Sequence, residues 1–235
     1  RTPLGLFQYT RMPMGLKTAS AVFCRFLDGI VGDLRWQTAL TYIDDVLVYS
    51  STAKEHLDAL EILFARLDAA NLTLKASKTQ LVRPEVEFLG HVVDKDGVRP
   101  SAEKIKAIEA IQLPSNPKEL RTALGSFGYY RRFIKDYAKI THPLREKMNV
   151  LKWPLDTSGA AAWTIAERAA FFQIRDCLKT SPILAHPDWS QPFQLHTDAS
   201  LQGLGAMLTQ KQNGKDVAIA YVSRALTKAE QAFAV

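Results

Sequence analysis

Two adjacent carboxylates, Asp44 and Asp45, close the stretch Tyr42-Ile43-Asp44-Asp45 inside the apolar run Thr41–Tyr49. At about 4 Å and an effective dielectric near 20, two such charges repel by roughly 4 kcal/mol, so the pair calls for a cation. Mg²⁺ suits it, because that ion takes one or two carboxylates and completes its shell with water and substrate phosphate oxygens; Mn²⁺ can take its place. The plain alternative is that Asp is a common turn residue. A third acid, Asp198, ends the alternating run Phe193–Asp198 on the face of Gln194 and His196. On its own it reads equally as a turn starter, with His196 a half-buried sheet residue.

A second kind of chemistry is written in Tyr129-Tyr130-Arg131-Arg132-Phe133, where cations interleave with aromatic rings. Arginine neutralises phosphate while rings stack or pack beneath it, which suits a polynucleotide. A solvated arginine face over core aromatics would give the same pattern. The surrounding residues 101–147 hold ten Lys/Arg against five Asp/Glu, nearly the whole excess of a chain with net charge +6.

The elements that must hold these residues follow from periodicity. Leu40–Tyr49 is rich in β-branched and aromatic residues and reads as two strands with the acidic pair at the turn. Before it, Arg11–Leu16 is a turn built on Pro13 and Gly15, followed by an amphipathic helix with Phe23, Phe26, Leu27, Ile30 and Val31 on one face. After it, Thr52-x-x-Glu55 is a capping box for a helix with Leu57, Leu60, Leu63, Phe64 and Leu67 inward and Asn71 as its stop. Leu72–Lys75 and Val86–Val93 read as two strands, the second ending at the turn Asp94–Gly97.

From Ser101 the pattern turns helical: Ile105, Ile108 and Ile111 mark one face, and Asn116-Pro117 starts a helix burying Leu120, Leu124 and Phe127. Residues 148–163 read as a linker, Thr164-x-x-Glu167 caps a helix with Phe171, Ile174 and Leu178 inward, and after Pro182 the period becomes two. Phe193–Asp198, Leu204–Thr209 and Val217–Val222 are the strands, and Thr227-x-x-Glu230 caps one more helix.

Composition bounds the rest. With 235 residues, 47% hydrophobic and 23% charged, the chain can bury a core in one large domain or two ordinary ones. Cys24 and Cys177 lie far apart and outside any zinc or redox spacing, so neither a disulfide framework nor a zinc site is indicated and a reducing compartment is the default. No secretory leader or membrane-length apolar run is present, so an intracellular protein with no membrane partner is expected. The chain starts at Arg1 without Met and stops at Val235 within a helical pattern, so it reads as a piece of a longer protein.

Taken in order, Arg11–Leu16, Tyr42–Asp45, Leu72-Thr-Leu-Lys-x-x-Lys78, Phe88-Leu-Gly-His91, Gly128–Ile134 and His196-Thr-Asp-Ala-Ser200 resemble the polyproteins of gypsy-type long-terminal-repeat retrotransposons. The resemblance covers essentially the whole chain. It implies an α+β fold: a reverse transcriptase palm over residues 1–98, an antiparallel sheet with helices; a helical thumb over 99–147; a connecting segment over 148–181; and the start of a ribonuclease H-like α/β domain over 182–235.

The resemblance also implies roles. Asp44 and Asp45 are matched to the metal-binding carboxylates of an RNA-directed DNA polymerase, with Tyr42 beside them against the nucleic acid, and Asp198 to the first metal-binding acid of ribonuclease H. Pro13, Met14 and Gly15 match the loop that positions template and nucleotide, and Lys78 a lysine near the triphosphate. Phe88, Leu89 and Gly90 match the primer grip, a hairpin holding the primer backbone, and Arg131 and Arg132 belong to a thumb that holds phosphates without sequence preference.

Implied partners are a primed RNA or DNA template, an RNA–DNA hybrid and deoxynucleoside triphosphates. The family's third polymerase Asp and its further ribonuclease H acids are expected outside this sequence. The competing reading is a catalytically silent retroelement remnant that at most binds nucleic acid.

Overall fold

The computed structural model describes residues 2–150, 153–154 and 161–233. They form two compact units, Arg1–Val82 and Arg83–Val235. No described helix is long and apolar enough to cross a membrane.

The first unit is a hairpin backed by two helices. Helix α1 (Ala19–Val31) runs into a 3₁₀ turn (Gly32–Leu34), then strands β1 (Ala39–Tyr42) and β2 (Asp45–Val48) pair antiparallel, and α2 (Ala53–Ala69) closes the unit. Its core is Leu27, Val31, Leu34, Ala39, Leu63 and Leu67, with Phe23, Val46, Val48 and Leu72 at the margin. The capping box at Thr52 and Glu55 forms as expected, and Asn71 takes the left-handed conformation (φ 56°) that ends α2.

Arg66 joins the two helices. It donates to the Val31 carbonyl at 2.7 Å and pairs with Asp33 at 2.6 Å, so a cation from α2 satisfies the end of α1. That guanidinium also holds the Asp33 carboxyl below the usual carboxylate range.

Three expectations for this unit are corrected. Leu57 and Phe26 are exposed, because α2 and α1 turn only a narrow stripe to the hairpin. Leu72–Lys75 pairs with no strand: Leu72 tucks against the core, and the segment passes into a turn in which the Lys78 amide donates to the Lys75 carbonyl at 2.9 Å.

The second unit opens with strands β3 (Glu85–Phe88), β4 (His91–Asp94) and β5 (Val98–Pro100), an antiparallel sheet in that order. Val86–Val93 is therefore a hairpin, as the primer-grip resemblance implies, and not the one strand its pattern suggests, because Leu89 (φ 51°) and Gly90 (φ 72°) both take positive φ and reverse the chain between Phe88 and its partner His91. Helices α3 (Ala102–Glu109), α4 (Pro117–Tyr129) and α5 (Tyr137–Met148) follow, then α6 (Ile165–Lys179), with the predicted caps at Asn116 and Thr164.

Leu120, Phe127, Phe171, Ile174 and Leu178 are all buried as predicted, and Phe127 meets Phe171 edge to face at 5.4 Å. Trp153 and Trp163, expected in a linker, belong to this core; the rest of that stretch, 151–152 and 155–160, lies outside the described residues.

Strands β6 (Phe193–Ala199), β7 (Gly203–Gln212) and β8 (Lys215–Ala225) make the last sheet, antiparallel in chain order, before the short helix α7 (Lys228–Phe233). β7 and β8 run longer than their alternation suggested because Asn213 (φ 50°) and Gly214 (φ 77°) supply a two-residue turn that lets pairing start at Gln212 and Lys215. Thr227 and Glu230 exchange backbone bonds at the start of α7, the predicted box.

Candidate active site and nucleic-acid interface

Register fixes the acidic pair. Tyr42 lies opposite Asp45, so Ile43 and Asp44 alone form the turn. Ile43 has φ 55°, a conformation a β-branched residue adopts only when its surroundings force it. Side chains alternate along a strand. Val46 and Val48 turn toward the core, so Asp45 and its partner Tyr42 share the opposite, open face.

The hairpin is tied down from below. Thr41 donates to Asp28 at 2.7 Å, and Asp28 also pairs with Arg35 at 3.0 Å, anchoring β1 to α1. Both Asp44 and Asp45 are exposed, and neither carboxylate has a hydrogen bond or ion pair among the described residues. The donor set fits a hard divalent cation that shares its shell with water and a ligand's oxygens. Among the described residues no group of three or more His, Cys, Asp or Glu could hold a metal by itself.

The other residues singled out in this unit are open to solvent. Gly15 (φ 88°) has nothing within 4 Å of the position a Cβ would take, Met14 beside it is fully exposed, and Pro13 is half-buried. Lys78 is exposed in its turn and its ammonium has no partner among the described residues.

In the second unit, Phe88, Leu89 and Gly90 form the β3–β4 turn and are half-buried against α4. Arg131 and Arg132 are exposed, whereas Tyr130 and Phe133 are buried beside them, with the Arg132 guanidinium 5.7 Å from the Phe133 ring. Of the three rings in this segment Tyr130 and Phe133 are core and Tyr129 is exposed, so the packing half of the sequence reading holds for two of them, and the arginines face solvent.

One surface escaped the sequence reading. Lys118, Arg121, Thr122, Gly125 and Tyr129 make the outward side of α4. The signal was the polar spacing opposite Leu120 and Phe127.

Asp198 sits on β6, opposite Gly205, which pairs in turn with Ser223, so the three share one sheet face. Every residue of β6 is exposed. His196 meets the Thr209 hydroxyl at 3.1 Å, the ordinary role of a sheet histidine. At the end of β8, Arg224 pairs with Glu230 at 2.8 Å, and this guanidinium with the Thr227 cap holds the Glu230 carboxyl at about 2.

Residues 2–93 match the family described as reverse transcriptase (RNA-dependent DNA polymerase), and residues 163–235 the RNase H-like domain found in reverse transcriptase. A foamy viral protease-reverse transcriptase solved with double-stranded DNA superposes with a TM-score of 0.81 at 26% identity, over 95% of this chain and 38% of that one. Another structure of the foamy viral enzyme, with an RNA/DNA hybrid, gives 0.77 at 26% identity, over 95% of this chain and 29% of that one. The chain thus carries a reverse transcriptase domain over residues 2–93 and the RNase H-like domain found in reverse transcriptase over residues 163–235.

Among retroelement polyproteins it is 38% identical to the retrovirus-related Pol polyprotein from transposon opus of Drosophila melanogaster, over 98% of this chain and 23% of the relative. It is 34% identical to the transposon Tf2-3 polyprotein of Schizosaccharomyces pombe, over 100% of this chain and 17% of the relative. The chain therefore spans about a fifth of the length of these curated relatives. Enzymes of this family work with divalent metal ions.

Proposed function

We propose that this chain supplies the acidic hairpin and the thumb of an RNA-directed DNA polymerase, followed by the first strands of an attached ribonuclease H. The observation that carries it is the pair Asp44 and Asp45, exposed and uncommitted at the tip of a two-residue hairpin anchored through Asp28. On this reading residues 1–98 are palm, 99–147 thumb and 182–235 the start of the ribonuclease H domain. The hairpin at the end of the palm packs on the thumb helices.

Mg²⁺ held by Asp44 and Asp45 would activate a primer 3′-hydroxyl and steady the leaving pyrophosphate. The chain's own residues do the holding. The open backbone at Gly15 lets template and deoxynucleotide approach closely, with Pro13 fixing the loop, and Lys78 offers an unpaired ammonium to the triphosphate. Tyr42, on the face of Asp45, borders the same space. Arg131, Arg132 and the outward side of α4 neutralise the phosphates of an RNA–DNA hybrid or a DNA duplex, which requires no base contacts. Asp198 contributes one carboxylate toward the ribonuclease H metals.

The test is binding of mixed-sequence RNA–DNA hybrid and double-stranded DNA to the 235-residue chain across a salt series. Both should bind without sequence preference, and affinity should fall with salt by a log-log slope of roughly 0.9 per phosphate contact on B-form duplex. Affinity independent of salt would overturn the reading.

A further inference from the structure

The β3–β4 turn is held in a way that charge and family do not account for. The Leu89 carbonyl accepts from the Tyr129 hydroxyl at 2.6 Å and lies 2.8 Å from His91 Nδ1. The Gly90 carbonyl accepts from the Tyr130 hydroxyl at 3.1 Å and from the Ser101 amide at 3.1 Å. A carbonyl has two lone pairs, so each acceptor of the turn has two partners, one of them a tyrosine hydroxyl from the end of α4 and the other His91 on β4 or the Ser101 amide that precedes α3.

The donors are themselves fixed. Tyr129 and Tyr130 meet edge to face with centroids 4.9 Å apart, and the His91 ring lies 5.4 Å from each. The fit is close: a Cβ on Gly90 would stand 2.9 Å from the Tyr130 hydroxyl oxygen. Meanwhile the amides of Leu89 and Gly90 donate to no group among the described residues. The turn is bound through its acceptors and open through its donors.

We propose that Tyr129 and Tyr130 are positioning residues for the nucleic-acid strand, a double latch that locks the β3–β4 turn so that its free amides stay presented to a backbone phosphate. This rests on reading the turn as part of the nucleic-acid interface. Two consecutive tyrosines suit the task because their hydroxyls reach neighbouring carbonyls while their rings pack against the His91 side chain. If the rings served only as packing, phenylalanine would do as well.

The latch makes a prediction that separates it from the basic groups. Backbone amides carry no charge, so losing their phosphate contact releases no fewer counterions. Tyr129→Phe with Tyr130→Phe should therefore weaken hybrid binding by about tenfold at every salt concentration, the scale of one or two neutral hydrogen bonds. The salt slope should not change. Arg131→Ala with Arg132→Ala should lower the slope.

The experiment is fluorescence anisotropy of a labelled mixed-sequence hybrid against the wild-type chain and these variants, with amide hydrogen exchange of Ser101, whose amide donates to the Gly90 carbonyl. The expected result is a parallel downward shift for the double Phe variant, with faster exchange at Ser101 and unchanged exchange along Leu120–Phe127. Wild-type affinity in that variant overturns the latch. So does a lowered salt slope, which would mean the basic groups had moved.

Should the double variant unfold, Tyr129→Phe alone decides, because its ring is 54% exposed and contributes little to the core. A wild-type chain that binds neither duplex would remove the reading on which the latch rests, a different result from binding that ignores the hydroxyls.

Discussion

The Lys147 ammonium, almost wholly buried, lies 3.0 Å from the Glu167 carboxylate and 2.6 Å from the Ala162 carbonyl, with the Trp153 and Trp163 rings 4.5 Å and 4.8 Å away. One lysine thus fastens the end of α5 to the cap of α6, since Glu167 is also the residue that closes the box on Thr164. Burial works to raise the Glu167 carboxyl, but the Thr164 amide and the Lys147 ammonium outweigh it and hold the group below its ordinary value. Lys147→Met should destabilise the second unit by about 3 kcal/mol, because it leaves a carboxylate without its buried partner. Urea unfolding followed by tryptophan fluorescence measures it. A loss below the error of the method would mean the pair is solvated in solution.

Thr164→Ala should cost about 1 kcal/mol through the lost cap alone. The same unfolding assay should rank it clearly below Lys147→Met. Equal losses would mean that the lysine contributes only through the capping box.

How far sequence reaches is visible in these residues. The Thr164 and Glu167 box was legible because capping needs only residue types at a fixed spacing, and so were the buried Phe171, Ile174 and Leu178. Lys147 was not: the local pattern marks it as one more surface cation, and only the packing of two tryptophans against it says otherwise.

The same limit explains the Val86–Val93 hairpin. A Leu-Gly pair is a weak turn signal, so the local pattern missed the reversal that the resemblance implied, and the tyrosines that bond its carbonyls stand forty residues away. The acidic hairpin, by contrast, was readable from its β-branched and aromatic content, while its anchor through Asp28 and Thr41 was not. For Asp198, alternation gave the strand and the face; its neighbours Gly205 and Ser223 required the register.

His91 supplies a pH prediction. Burial pushes its imidazole below the ordinary value of 6.5; the Leu89 carbonyl opposes the shift and Arg132 adds to it. The folded state then binds fewer protons than the unfolded one, so stability rises with pH across this range. The contribution is present above about 6.5 and is lost as pH falls from there toward the depressed value. Unfolding midpoints at pH 5 and pH 7.5 should differ less in His91→Gln than in wild type. An equal difference would show that the ring titrates normally.

That the hairpin tip is the polymerase centre is tested most directly by primer extension on an RNA template, using this chain joined behind the N-terminal part of a similar retroelement polyprotein. With Mg²⁺ present, Asp44→Asn should keep the circular dichroism spectrum of the parent yet lose nearly all extension, because a neutral amide binds a hard divalent cation far less well than a carboxylate. Asp45→Asn should also fall, since Asp45 shares the open face with Tyr42. Well-folded Asp44→Asn extending primers at the parent rate would contradict the account.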